Sequence, residues 1–258
     1  MTITSTPHPP QQETPEPTPV PTIGRGRPYY GVGTGIAILD SDIPRPVGDI
    51  GNARSFGYPV RYEVVAGIGP ADMFRPRSTA VADGFVAAVN TMADQGIQVA
   101  ATSCGLLAHY QSEVAARTRI PVAMSSLIQL PLVLRMLRPE QSVLLVTIDA
   151  HAIGDRHFEQ SGVAQSDRDR IVVQDMADAP YFLSVIKGRQ DDYEPARAEI
   201  EVLAAVRAGL ARAPQCGAIV LECTNLPPFS QTIRRTTHLP VWDVLTLTDW
   251  LAGATAVD

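Results

Sequence analysis

Cysteine is scarce in this chain of 258 residues: there are three, an odd number with no C-x-x-C pair. That argues against both a disulfide framework and a zinc ribbon, and reduced thiols with no metal centre are expected. Positive charge is also thin. Lys and Arg number 21 against 27 Asp and Glu, for a formal net charge of −6, and no basic block occurs. Nucleic acid is therefore not an expected partner, and the acidic excess reads as a solvated surface. No apolar run approaches the roughly 20 residues that span a bilayer. The first residues lack the basic-then-apolar order of a signal peptide, so a cytoplasmic protein without a membrane partner is expected.

What is present is unevenly distributed. Residues 1–28 hold eight of the 22 prolines and almost no large apolar side chain. Such a segment cannot offset the entropy of ordering, so it is expected to be a disordered tail. From Tyr29 the pattern alternates. "TGIAILD", "YEVVAG", "IQVAATS", "IPVAMSS", "SVLLVTI", "RIVVQD", "GAIVLEC" and "LPVWDV" read as short buried strands. Segments of helical period lie between them, such as "STAVADGFVAAVNTMADQG" and "PARAEIEVLAAVRAGLARA". Strands alternating with helices predict an α/β fold of parallel sheets flanked by helices.

A repeat runs through the alternation. Cys104 follows one strand and Cys223 another, 119 residues apart (223 − 104), and "TRIPV" and "THLPV" share that spacing (237 − 118). An internal duplication accounts for this, and predicts two pseudo-symmetric lobes with the active site in the cleft between them. The first lobe is expected over residues 29–140 and 240–258, the second over 141–239.

A cysteine between a strand and a helix meets unpaired N–H groups and the positive end of the helix dipole, which predicts a lowered thiol pKa. Two such thiols facing one carbon can take a proton from one side and return it on the other, inverting a stereocentre without a cofactor. With a leaving group on the neighbouring carbon, the same abstraction leads to β-elimination. Thr102, Ser103 and Gly105, and Thr224 and Asn225, are small or hydrogen-bonding residues suited to holding a carboxylate beside the thiols. A lone cysteine at a strand end is ordinarily packing. The shared spacing and polar flanks favour function for Cys104 and Cys223, whereas Cys216 precedes its strand and reads as inert.

These marks, "TSCG" and "LECTN" above all, resemble the aspartate/glutamate racemase superfamily over roughly Tyr30 to Leu251. The resemblance implies two α/β lobes, Cys104 and Cys223 as paired acid and base, and Thr102, Ser103, Thr224 and Asn225 on the substrate carboxylate. It also implies a homo-oligomer and no cofactor. Where amino-acid racemases carry asparagine-threonine and threonine-histidine after their cysteines, this chain has Gly105-Leu106 and Thr224-Asn225. That departure, with "DSDIPRPVGDIGNARSFGYPVRY", is similar to the branch containing the algal dimethylsulfoniopropionate lyases. Three functions follow as expectations: racemase or epimerase of a small carboxylate as the leading one, β-elimination lyase, or a non-catalytic carboxylate-binding protein.

In the loop "RPVGDIGN", Asp49 and Asn52 either contact a cationic group of a ligand or satisfy their own turn. Arg45 and Arg61 could pair with a carboxylate, but exposed arginines are common and neither is counted as a site residue. "GVGTGI" precedes its strand and lacks the third glycine of a dinucleotide loop. "DAHAIGDRH" offers His151, His157, Asp149 and Asp155 where a metal or base could sit, but its spacing does not match H-E-x-x-H, so Asp149 reads as a helix cap, with His151 near the cleft.

Overall fold

The computed structural model describes residues 29–75, 77–190 and 192–255. The expected tail over residues 1–28 lies outside them. All eight anticipated strands form: β1 (Thr34–Leu39), β2 (Val60–Val65), β3 (Val99–Thr102), β4 (Val122–Ala123), β5 (Ser142–Val146), β6 (Ile171–Gln174), β7 (Cys216–Leu221) and β8 (Val241–Trp242). Among the described residues eight α-helices accompany them: α1 (Thr79–Asp94), α2 (Gln111–Ala115), α3 (Leu130–Met136), α4 (Asp155–Gln160), α5 (Pro180–Ile186), α6 (Pro195–Arg212), α7 (Ser230–Thr237) and α8 (Val244–Ala252).

The strands make two four-stranded sheets, ordered β2-β1-β3-β4 and β6-β5-β7-β8, and every pairing is parallel. The duplication extends to register. Ala100 lies opposite Val122 in the first sheet and Ile219 opposite Val241 in the second, an offset of 119 on both strands (219 − 100; 241 − 122).

Both faces of each sheet are covered, which is why the strands read as continuous apolar runs. In β5, Leu144 and Val146 pack with α5 and α6 residues such as Phe182 and Val202. The intervening Val143 and Leu145 pack with Leu130, Val133 and Leu134 of α3, as the two-residue period of a strand requires. Helix α1 begins at Ser78, whose hydroxyl accepts the Ala80 N–H, a cap of about 1 kcal/mol. It buries Val81, Phe85, Val89 and Met92 at helical spacing.

The chain's return to the first lobe comes later than expected. Val241–Trp242 still completes the second sheet. Only α8 crosses back, setting Val244, Leu247 and Leu251 against Ile36, Val99 and Ala101. The lobes also meet through side chains: the Ser126 hydroxyl donates to the Leu221 carbonyl at 2.8 Å.

Candidate active site

The carboxyl ends of β1, β3, β5 and β7 converge on a cavity of about 510 Å³. Leu39 follows from β1, Ser103, Cys104 and Gly105 from β3, Ile148 from β5, and Glu222, Cys223, Thr224 and Asn225 from β7. Open α/β sheets bind ligands at this edge because loops there are free of the sheet's own packing. Both cysteines are therefore wall residues of one cavity. Cys104 is half-buried, Cys223 is 7% exposed, and all three cysteines are free thiols.

The structure departs from the predicted surroundings of the thiols. Cys104 does open a helical segment, a 3-10 turn over Gly105–Tyr110. Cys223 is instead followed by the loop Thr224–Leu226 before a 3-10 turn at Pro227–Phe229. Neither thiol has a lowered pKa. Burial, and then the charge of Glu222, push Cys104 up to about 12 against the opposing N–H groups of Leu106 and Leu107 and the charge of Arg45. Burial and Glu222 likewise hold Cys223 well above the ordinary thiol value, with the Asn225 N–H opposing. Desolvation outweighs the few N–H groups that a short turn supplies.

Three of the anticipated binding residues do not line the cavity. The Thr102 hydroxyl is buried and donates to the Met124 carbonyl at 2.6 Å. Asn52 donates to the Arg45 carbonyl at 2.8 Å and accepts the Arg54 N–H, so it serves its own turn. Asp49 lies behind the wall, 1% exposed. One of its oxygens accepts from Arg45 at 3.0 Å and from the Gly51 N–H, and the other from the Asn225 amide at 2.7 Å. Burial raises the Asp49 pKa, and the charge of Arg45 opposes that rise. The carboxylate thereby positions two residues that do face the cavity.

Asn225 in turn accepts from the Cys223 Sγ at 3.6 Å. The Ser103 hydroxyl accepts the Leu39 N–H at 2.9 Å, and the Thr224 hydroxyl donates to the Ser103 carbonyl at 2.6 Å. These two hydroxyls tie the cysteine turns in place.

Two cavity residues were passed over in the sequence. Arg45 lines the wall, its guanidinium donating to Asp49 and Ser41, and Asp49 also accepts from Asn225 of the same wall. Glu222 is 1% exposed, and its carboxyl accepts from Thr147 at 2.8 Å. Burial pushes it up to about 7. The available signal was a lone acid at the end of the apolar run "GAIVLEC". Farther out, exposed Asp40, Asp42, Phe74, Lys187 and Arg189 form the rim. His151 belongs to an adjoining cavity that does not include the cysteines, and Asp149 caps its turn as expected. Among the described residues, no group of three or more His, Cys, Asp or Glu is placed to hold a metal ion, and no helix is long and apolar enough to cross a membrane.

Known structures share this architecture. Unliganded arylmalonate decarboxylase superposes with a TM-score of 0.55 at 12% identity, covering 86% of this chain and 94% of that one. Glutamate racemase from Francisella tularensis subsp. tularensis SCHU S4, in complex with D-glutamate, does so at 0.51 and 13% identity, covering 86% and 80%. The likeness is one of fold, two lobes of parallel sheet flanked by helices.

In sequence, the chain's relatives are dimethylsulfoniopropionate lyases. Dimethylsulfoniopropionate lyase 6 of Emiliania huxleyi (strain CCMP1516) is 31% identical over 228 residues, covering 82% of this chain and 57% of the relative. The lyase of Durusdinium sp. clade D is 29% identical over 220 residues, covering 84% and 72%. The chain thus matches little more than half the length of the first of these relatives. No protein-family model matches it.

Proposed function

We propose that this chain is a cofactor-independent enzyme that removes the proton α to a carboxylate, with Cys104 and Cys223 as its acid/base groups, and that the outcome is β-elimination from a β-onium carboxylate of the dimethylsulfoniopropionate type. The observation that carries the reading is the presence of both thiols, from equivalent turns of the two lobes, in the wall of one cavity. The sequence relatives favour elimination over the racemisation that the paired cysteines alone put first. The lining supports it too. Arg45 offers a positive group for the carboxylate, and Asp40, Asp42 and the Phe74 ring offer negative charge and a π-face for a sulfonium. In the step, one thiolate takes the α-proton, the C–H electron pair becomes the new double bond, and the bond from the β-carbon to sulfur breaks. Dimethyl sulfide leaves with the pair of the broken carbon–sulfur bond, and acrylate remains.

Racemisation is the second reading, favoured by the origin of the two thiols in opposed lobes. Proton NMR in deuterium oxide, with dimethylsulfoniopropionate and a panel of chiral carboxylates, separates the readings. An alkene signal is expected. Deuterium at an α-position with loss of optical activity would replace the lyase by a racemase, and ligand binding without exchange or product would leave a carboxylate-binding protein.

A further inference from the structure

Glu222 occupies a position that the fold repeats. Its counterpart in the first lobe is Ser103 (222 − 103 = 119), and each precedes a cysteine. Ser103 ties to Leu39 at the end of β1, and Glu222 to Thr147 just beyond β5. One lobe fills the position with a neutral hydroxyl, so the packing there does not demand a charge. The Glu222 carboxyl also abuts the opposite turn: a Cβ added at Gly105 would overlap both the carboxyl and the carbonyl of Glu222. A buried carboxyl is thereby held between the chain segments that carry Cys104 and Cys223, in the wall of the cavity that both thiols line. A carboxylate and a thiolate side by side in so dry a place repel strongly, so the two groups titrate as one system.

We propose that Glu222 and the cysteines share a single negative charge, with the Glu222 carboxylate accepting a thiol proton to leave the thiolate that acts on substrate. The S–H bond breaks as an O–H bond forms, and the site's total charge is unchanged. Glu222 then acts through the cysteines and need not touch substrate. Its role in turnover rests on the acid/base reading above; the shared charge does not. The other groups facing the thiols are Asp49 and Arg45, which are paired with each other.

The consequence is a bend in thiol reactivity. Below the pH at which Glu222 loses its proton, about 7, the thiolate fraction rises tenfold per pH unit. Above it the site already carries one negative charge, whose division between carboxylate and thiolate no longer depends on pH. Alkylation by iodoacetamide, followed by mass spectrometry of the Cys104 and Cys223 peptides between pH 5 and 9, reads this directly. The wild-type rate is expected to level off above neutrality. The Glu222→Gln rate should keep climbing, and at pH 9 exceed wild type by about 100-fold, two pH units at tenfold each. A wild-type rate that climbs without a bend overturns the proposal, whether or not the variant folds. A bend in a protein that shows no turnover upholds the shared charge and overturns only the acid/base reading.

Discussion

The two cysteine turns occupy the same place in two sheets of the same strand order, yet they put different chemistry beside the thiol. Before the cysteine stands Ser103 in one lobe and Glu222 in the other; after it stands Gly105 in one and Thr224 in the other. The turns also brace each other reciprocally. The Thr224 hydroxyl bonds the carbonyl of Ser103, and Gly105 leaves room for Glu222. Duplication thus supplied a symmetric frame, and the residues within it broke the symmetry of charge. Cys104 has the N–H groups of Leu106 and Leu107 and the charge of Arg45 to favour its thiolate. Cys223 has the Asn225 N–H; burial and the charge of Glu222 oppose both thiolates, and Asp49 further opposes that of Cys223. Proton abstraction from either kind of substrate needs one thiolate, and this asymmetry favours Cys104 as the thiol that supplies it.

The sharpest way to break the comparison is to remove one thiol at a time. Cys104→Ser is expected to cost about 10²–10⁴-fold in kcat, the usual range for a general base, and Cys223→Ser distinctly less, measured as acrylate release. Equal losses would restore the symmetric reading. Next comes Glu222, which releases its proton near 7 in the folded chain instead of at its ordinary 4.5. The native state holds a proton there that the unfolded chain gives up first. Stability from this group is therefore present below about 4.5 and is lost as pH rises to about 7, to the extent of about 3 kcal/mol. Urea titrations should find Glu222→Gln more stable than wild type at pH 8, with that advantage gone at pH 4.

Smaller effects probe the bracing. Gly105→Ala forces a methyl group against Glu222, and its denaturation midpoint should fall by the equivalent of about 1–3 kcal/mol. Thr224→Ala loses one buried hydrogen bond and should cost about 1 kcal/mol in the same assay. Cys216 stands at the start of β7, away from the cavity, with its Sγ near the Ala218 carbonyl at 3.1 Å. Cys216→Ser is expected to leave turnover unchanged, and a loss there would make the third thiol part of the chemistry.

Much of this was legible in the chain's pattern. Runs such as "SVLLV" and helical spacings such as Val81, Phe85 and Val89 depend on local geometry, so they announced the strands and helices and the layers between them. The 119-residue repeat announced equivalent turns and, through them, which two of three cysteines to pair. By itself, then, the sequence determined the two-lobed α/β frame and the residues at the ends of β3 and β7, because periodicity and duplication are properties of the chain alone. Tertiary structure alone decided what those residues meet. Asp49 and Asn225, 176 residues apart, join in one hydrogen bond, which turns an anticipated ligand contact into a support behind the wall. Thr102 and Asn52 spend their side chains on backbone groups that only the folded chain brings to them. The direction of the thiol pKa was also decided there. A strand-to-helix position predicts a lowered value, but burial and the carboxyl of Glu222 raise it, since desolvation and charge act through space and have no signature in local sequence.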